Sequence, residues 1–355
     1  MTPHPPAVAP ALRCAAVRQV AVEVPAGRQT AEEVEEDVRR RNPGIRLMPG
    51  VLRQTYGLEE RRVAPAGTLP SDLAATAARS ALDQAGLGPG AVDLLIFASA
   101  SEDMEEPATA HVVADKLGVT APVFDVKNAC NGLLNALEIA NSFIGAGRYS
   151  RVLVTTGERS SLLSRLPVRD RDELALMMPV FTRGDLGAAL LVEESGRPGL
   201  LGGSFVANSA GWRSVTAVNP YISLDLGGTA RAVRFDSQAL ADSFAGMERH
   251  GLDALHALGH KSGDLDLVCV HQPSVPFTRT TLDALGVEQD KVVPVFPRYG
   301  DVATAALPLQ LAEARRLGRL RPGDLVALFG LAGGASAGML LLEWDPDSVP
   351  AGPPL

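Results

Sequence analysis

A cysteine, a histidine and an aspartate, far apart in the chain, are the residues whose types could together do nucleophilic chemistry: Cys130, His271 and Asp301. Cys130 lies in FDVKNACNGLLNALEIANSFIGAG, Phe124 to Gly147. The apolar Phe124-Asp125-Val126 reads as the end of a buried strand, and a tight turn through Lys127-Asn128-Ala129 leads to the head of a helix. Leu133, Leu134, Leu137, Ile139, Ala140, Phe143 and Ile144 give that helix more than one buried face, as befits a helix at the centre of a protein. A thiol at a helix head sits near unpaired N–H groups and the positive end of the dipole, which favours its thiolate. Position alone leaves two readings open, a nucleophile or an inert core cysteine, since free Cys is among the most buried residue types.

An internal repeat brings the other two residues in. LGPGAVDLLIFAS from Leu87 is answered by HKSGDLDLVCVHQ from His260: a glycine, an Asp-Leu pair, then a buried strand. FDVKNAC is answered by FPRYGD, and the helix after Cys130 by VATAALPLQLAEARRLGRLRPGDLVALFG. Self-similarity over this span predicts two related α/β halves, each a mixed, largely parallel sheet with helices on both faces. The repeat puts Asp301 at the position equivalent to Cys130, at the head of the equivalent helix. His271 ends the strand LDLVCV, where a strand gives way to a loop and sites tend to form. A nucleophile, a base and a group that orients the base is the pattern of acyl transfer. The glycine-rich FGLAGGASAG, Phe329 to Gly338, would bring backbone N–H groups to the thiol as an oxyanion hole; a phosphate-binding loop and a plain strand–strand turn are its alternatives. It lacks the Lys-Ser/Thr of a P-loop, which counts against nucleotide binding.

The elements that must position these residues follow from periodicity. Val17–Val24 reads as a strand, Ala31–Arg41 as a charged helix, and VLRQTYGLEERR (Val51–Arg62) as irregular. Ser71 or Asp72 is expected to cap a helix ending near Gly86. A buried strand runs from Ala91, and a helix covers Ala108–Leu117. Further strands begin at Ser150 and Leu186, and between them Ser160–Thr182 is an insertion that could lid a pocket, cover a partner or be a surface excursion.

The 355 residues, 46% hydrophobic and 21% charged, describe a globular protein. The formal net charge of −8 argues against a nucleic-acid surface. Cys14, Cys130 and Cys269 are too few for a disulfide framework and have no metal-ligand spacing, so a reducing, cytoplasmic location is expected, with no metal and no tightly bound cofactor. No apolar run approaches bilayer-spanning length, and MTPHPPAVAPAL lacks the pattern of a signal peptide. His256 and His260 are spaced as a metal pair, but with no acidic ligand nearby they read as a helix end. His111 reads as a surface histidine that could line a pocket, and Cys269 as core.

FDVKNACNG, VHQPS, YGDVATAALP and FGLAGGASAG resemble the signature segments of ketoacyl-acyl-carrier-protein synthase III, in the thiolase superfamily; TYGLEERR and FTRGDLGAALL resemble further segments. The similarity runs from about Ala16 to Trp344. It implies a five-layered αβαβα fold of two halves, placed at 13–198 and 199–345; by their own composition 1–12 and 346–355 read as Pro-rich disordered tails. It also implies a homodimer that takes acyl groups from coenzyme A or an acyl carrier protein. Cys130 then matches the acylated nucleophile, His271 the catalytic histidine, and Gly333 the glycine whose N–H joins that of Cys130 in the oxyanion hole. Two departures stand out. The Trp and Arg that clamp the adenine of coenzyme A in primary-metabolism members have no match around Val51–Thr55, which leaves the donor open between coenzyme A and a carrier protein.

The other departure is Asp301, where condensing members have Asn. Condensation needs two donors to the enolate left when malonate loses CO2, and an ionised Asp only accepts. Losing one such donor costs on the order of 100- to 1000-fold in rate. For transfer to a hydroxyl, Asp301 instead helps, by holding the His271 imidazole and stabilising its imidazolium. Members with Cys–His–Asp resemble tailoring acyltransferases of polyketide and glycoside biosynthesis, of the cervimycin malonyltransferase type. The expectation is an ester-forming acyltransferase, with malonyl a candidate acyl group. Its rivals are a decarboxylative condensing enzyme and a non-catalytic partner that binds carrier protein.

Overall fold

In the computed structural model, which describes residues 13–219 and 233–344, two mixed sheets sandwich a pair of buried helices. The first half supplies β1 (Cys14–Glu23), α1 (Pro70–Ala85), β2 (Leu94–Ala98), α2 (Thr109–Leu117), β3 (Val123–Val126), α3 (Gly132–Gly145), β4 (Arg151–Arg159) and β5 (Asp185–Ser195). The second supplies β6 (Leu200–Ala207), α4 (Glu248–Ala257), β7 (Leu267–Val270), α5 (Val275–Leu285), α6 (Ala306–Arg316), β8 (Leu325–Ala332) and β9 (Ser336–Glu343). Strand order is β1-β5-β4-β2-β3 in one sheet and β7-β8-β9-β6 in the other. The expected tails fall outside the described residues. Among those described, no helix is long and apolar enough to cross a membrane.

The repeat is visible as matching pairings. β2–β4 and β7–β8 are parallel, β4–β5 and β8–β9 antiparallel, and β5–β1 and β9–β6 antiparallel. The repeated Asp-Leu pair has a physical reason. Asp93 accepts a hydrogen bond from Arg151 N–H at 2.9 Å, and Asp266 accepts one from Leu325 N–H at 2.8 Å, so each aspartate pins the start of the neighbouring parallel strand. Among the described residues β3 has no counterpart strand. Residues 293–295 take its place, held by the Gln272 side chain, which donates to Val293 C=O at 2.9 Å and accepts from Val295 N–H at 3.0 Å.

Five layers result, as expected. α1 and α2 cover the outer face of the first sheet, α4 and α5 that of the second, and α3 and α6 lie between the sheets. Leu133, Leu134, Leu137 and Ile144 of α3 and Leu307, Leu309 and Leu311 of α6 share one core with Val20, Ile96 and Leu190 of one sheet and Leu328 and Leu340 of the other. A helix packed on both sides must be apolar nearly all round, which is why α3 has no single polar face.

Three local expectations are corrected. α1 begins at Pro70, not at a capping Ser71 or Asp72, because a proline ring suits the first helical position; Asp72 instead reaches back to accept from Leu69 N–H at 2.8 Å. Val51–Arg62 is not irregular throughout: Leu52–Tyr56 forms a π-helical turn and Glu60–Val63 a strand paired with Gly27–Thr30. Ser160–Thr182 is no surface excursion. Its Val168, Met177, Val180 and Phe181 are buried against Val34, Leu52, Leu58 and Phe296.

At the exit of that insertion the two halves are stitched together. Asp301 N–H donates to Thr182 C=O and Gly184 N–H to Asp301 C=O, both at 3.0 Å, a short parallel bridge between Arg183 and Asp301. Two glycines allow the approach. A Cβ on Gly184 would lie 2.1 Å from Tyr299 O, and one on Gly300 2.4 Å from Thr182 O, with Gly300 also at φ 76°. Gly184→Ala must push these backbones apart, so it should lower stability by about 1–3 kcal/mol. The midpoint of urea unfolding measures this; an unchanged midpoint would show that the junction is looser than its geometry.

Candidate active site

The chain enters the site from β3 through a strained turn. Ala129 has φ 43°, a left-handed conformation rare for a residue with a Cβ, and Cys130 follows it, two residues before α3. Such strain persists only where surrounding structure imposes it. Here Asn131, fully buried, donates to Ser336 C=O at 3.1 Å and to Ser336 Oγ at 2.9 Å, fastening the start of α3 to the start of β9. The glycine-rich turn between β8 and β9 is thereby held over the cysteine: Ala332 packs directly on Cys130, and Gly333 is the next residue.

The second half mirrors this entry, but not residue for residue. Ala303 has φ 46° and opens a 3-10 turn, Ala303–Ala305, that leads into α6. α6 has 11 residues where α3 has 14. Counted back from the helix ends, Asp301 matches Cys130, as the repeat predicts. Counted from the strained residues, Thr304 matches Cys130 and Asp301 sits about one turn earlier. Thr304 joins a buried polar cluster, bonding Thr156 Oγ1 at 2.6 Å and the Glu158 carboxylate. Glu158 also accepts from Ala100 N–H and Ser101 Oγ, each at 2.9 Å, and from Ser99 Oγ at 3.1 Å.

The structure brings Cys130, His271 and Asp301 to one buried centre, together with a fourth residue that sequence reasoning missed. Arg183 Nε lies 3.2 Å from Asp301 Oδ2, both side chains being nearly buried. The same guanidinium is within hydrogen-bonding reach of the Cys130 thiol and lies 5.9 Å from the Phe235 ring centre. Arg61 fixes its backbone, donating through Nη1 to Phe181 C=O at 3.1 Å and to Arg183 C=O at 3.0 Å. The segment FTRGDLG was visible as sequence, but nothing in it points inward.

This pair changes the expected arrangement of Asp301 and His271. Asp301 Oδ1 accepts from Ala303 N–H at 2.9 Å and Oδ2 faces Arg183, while His271 Nδ1 is buried without a hydrogen-bond partner. The expected Asp301–His271 bond is therefore not formed in this state. A charged guanidinium is the stronger partner for a carboxylate than a neutral imidazole, and it holds the aspartate. His271 otherwise stands where the repeat predicts, just past β7, its N–H donating to Phe329 C=O at 3.0 Å.

Burial also overrides the helix dipole. The Cys130 thiol is pushed up to about 12, chiefly by burial; Arg183 acts to lower it, and Asp301 and Glu158 to raise it. Burial likewise holds the His271 pKa below its ordinary value, with Asp301 opposing that shift and Arg183 reinforcing it. The resting site thus holds a neutral thiol beside a neutral imidazole, not the favoured thiolate predicted from the helix head. Cys269 lies in β7 with no exposure, as expected of core. The open depression bordered by Val92, Asp93, Arg148 and Tyr149 is separated from Cys130 by the length of α3.

The chain is similar to several proteins of known kind. The family model for the C-terminal region of 3-oxoacyl-[acyl-carrier-protein (ACP)] synthase III matches residues 255–344, and that for 3-oxoacyl-[acyl-carrier-protein (ACP)] synthase III matches residues 124–211. A beta-ketoacyl-[acyl-carrier-protein] synthase III of Neisseria meningitidis is 33% identical over 81% of this chain and 88% of its own length. An acyl-CoA:acyl-CoA alkyltransferase of Xanthomonas campestris is 30% identical over 89% of this chain and 94% of its own. Among solved structures, Xanthomonas campestris OleA with bound lauric acid and lauroyl-CoA superposes with a TM-score of 0.84 at 26% identity, covering 94% of this chain and 100% of that one. FabH of Xanthomonas oryzae superposes with a TM-score of 0.81 at 27% identity, covering 94% and 99%.

The charges around the thiol give a direct test. Asp301→Asn removes a group that raises the Cys130 pKa, and Arg183→Met removes one that lowers it. Iodoacetamide should therefore alkylate Cys130 faster in the first variant and more slowly in the second at pH 8, by peptide-resolved mass spectrometry. The opposite order would mean that these side chains do not govern the thiol.

Proposed function

The chain belongs to the 3-oxoacyl-[acyl-carrier-protein] synthase III family, and from that premise we propose that it is an ester-forming acyltransferase. It takes an acyl group, malonyl in the reading favoured here, from a coenzyme A or carrier-protein thioester onto Cys130. It then passes the group, without decarboxylation, to a hydroxyl of a specialised metabolite such as a polyketide or glycoside, in the manner of the cervimycin malonyltransferase type. In the first step His271 accepts the Cys130 proton as sulfur attacks the thioester carbonyl, and the oxyanion is held by the N–H groups of Cys130 and Gly333. Collapse expels the donor thiol, which recovers the proton. In the second step His271 accepts the proton of the acceptor hydroxyl, the oxygen attacks the acyl-enzyme, and the Cys130 thiol is regenerated. A buried imidazole whose pKa is held down is neutral at pH 7 and free to serve as this base.

The observation that carries the reading is the state of Asp301. Its carboxylate accepts from Ala303 N–H and pairs with Arg183, so at the position where condensation needs a second donor to an enolate it offers negative charge. The second reading, a condensing enzyme, is favoured by the names of the relatives, a ketoacyl synthase III and an acyl-CoA:acyl-CoA alkyltransferase. Incubation with malonyl thioesters separates the two. The proposal expects Cys130 to gain an intact malonyl group, seen by mass spectrometry, and to release little CO2. Release of CO2 at the rate of transfer would sink the ester-forming reading. Failure of Cys130 to gain any acyl group would leave a non-catalytic carrier-protein-binding partner.

The proposal includes a homodimer. Leu69, Met104 and Leu162 are large apolar side chains exposed by 41%, 42% and 39%. They share one region: Ser71 N–H donates to Asp103 at 2.9 Å, and Arg159 donates to Thr68 C=O at 3.1 Å. A clustered apolar patch of this kind suits a second copy. Met104→Glu should shift the protein toward monomer in sedimentation; an unaltered dimer would place the interface elsewhere.

A further inference from the structure

We propose that Arg183 is the receptor for a carboxylate on the acyl group, so that the donor is the half-thioester of a short dicarboxylic acid. The inference rests on the acyl-Cys130 reading above and adds what that reading leaves open, the feature of the acyl group that the site selects. Arg183 Nε lies 3.2 Å from Asp301, the guanidinium acts on the Cys130 thiol as a neighbouring charge and donor, and the Phe235 ring centre is 5.9 Å away. Arginine carries five N–H donors in a planar fork. Nε is turned to Asp301, and the guanidinium also reaches the Cys130 sulfur. Once that sulfur is acylated it is a poor acceptor, and the N–H groups that met it face whatever the acyl chain carries one or two carbons from the thioester. A carboxylate there would form charge-assisted bonds; a methyl group would leave buried donors without partners, which is costly.

The backbone of Arg183 is preorganised for this role by Arg61 and by the bridge to Asp301. An acyl carboxylate adds a negative charge beside Asp301, with the Arg183 guanidinium as the cation that faces both; the imidazolium formed when His271 takes the acceptor proton is matched by the oxyanion that forms with it. As Arg183 turns part of its fork to the substrate, its hold on Asp301 weakens, and the unpartnered His271 Nδ1 is the donor nearest in kind to receive it. The pairing also explains how CO2 loss is resisted. Decarboxylation converts the malonyl carboxylate and a proton into neutral CO2 and an acetyl group on Cys130. A guanidinium bound to the carboxylate stabilises the reactant and not the departing CO2, which raises the barrier.

The test compares loading of Cys130 by malonyl-CoA and by propionyl-CoA in the full-length protein and in the variants Arg183→Met and Arg183→Lys, followed by intact-protein mass spectrometry. The wild type should load malonyl faster than propionyl. The malonyl-to-propionyl ratio should fall about 100-fold in Arg183→Met, as expected for losing bonds to a charged group, and about 10-fold in Arg183→Lys, which keeps the charge without the fork. A purely structural role would depress both rates together and leave the ratio unchanged, which would overturn the proposal. Should Arg183→Met fail to fold, the ratio in Arg183→Lys decides on its own. Wild-type protein that loads propionyl as fast as malonyl keeps the acyl-cysteine reading and overturns this one alone. Wild-type protein that accepts no acyl group overturns both.

Discussion

The candidate active centre is built on one buried ion pair, Arg183 with Asp301, contributed from opposite halves of the chain. Burying two charges is expensive, and such a pair adds little stability over a well-packed apolar substitute. Removing one partner is another matter, costing about 3–5 kcal/mol because a buried charge is left uncompensated. The pair is therefore better understood as a positioning device. It occupies the carboxylate of Asp301, keeps a guanidinium against the Cys130 thiol, and leaves His271 Nδ1 without a partner. The backbone bridge through Thr182 and Gly184 makes the arrangement rigid, so none of the three can change without the others.

Much of this was legible in the sequence, and the exceptions have physical causes. Cys130 could be read because a strand, a tight turn and an apolar helix follow one another within a few residues. Asp301 and His271 could be read because the repeat carries the same pattern a second time, down to Asp93 and Asp266 pinning adjacent strands. Arg183 could not. It closes a segment whose Arg, Asp and Glu content resembles a solvated loop, and its partners are distant in sequence. What buries that segment is Val168, Met177, Val180 and Phe181, spread among charges without helical or strand spacing. Arg61 and Arg62 misled in the same way. Both are buried, Arg61 because Gln29, Ser164 and two carbonyl groups satisfy its donors, Arg62 against the Tyr299 ring. Composition alone reports such a strand as loop.

The imperfection of the repeat decides which residues meet at the candidate site. Each half carries a strained alanine just ahead of its central helix, Ala129 and Ala303. The first is followed by Cys130. The second is followed by Thr304, which is spent on Thr156 and Glu158. With α6 about one turn shorter than α3, the second half presents Asp301 ahead of the strained Ala303 and next to the insertion's exit. A strictly symmetric protein would face Cys130 with a hydroxyl already tied into a buried network; this one faces it with a carboxylate and the arginine that holds it.

The ionisation of Cys130 and His271 then constrains how the thiol can react. A thiolate–imidazolium pair, stable before substrate arrives, requires the cysteine pKa to fall and the histidine pKa to rise. Burial drives both the other way. Two neutral groups cost less to bury than two ions, so the resting state is thiol and imidazole. On the proposed acyl-transfer reading, the proton therefore moves as the carbon–sulfur bond forms, when negative charge passes from sulfur to an oxyanion that backbone N–H groups can hold. A nucleophile generated only against a bound thioester is protected from adventitious alkylation and oxidation, which act on the thiolate. On the proposed ester-forming reading, the same reasoning applies in reverse to the acceptor: a hydroxyl, less acidic than a thiol, would be activated by His271 only while that imidazole is neutral, and burial favours the neutral form.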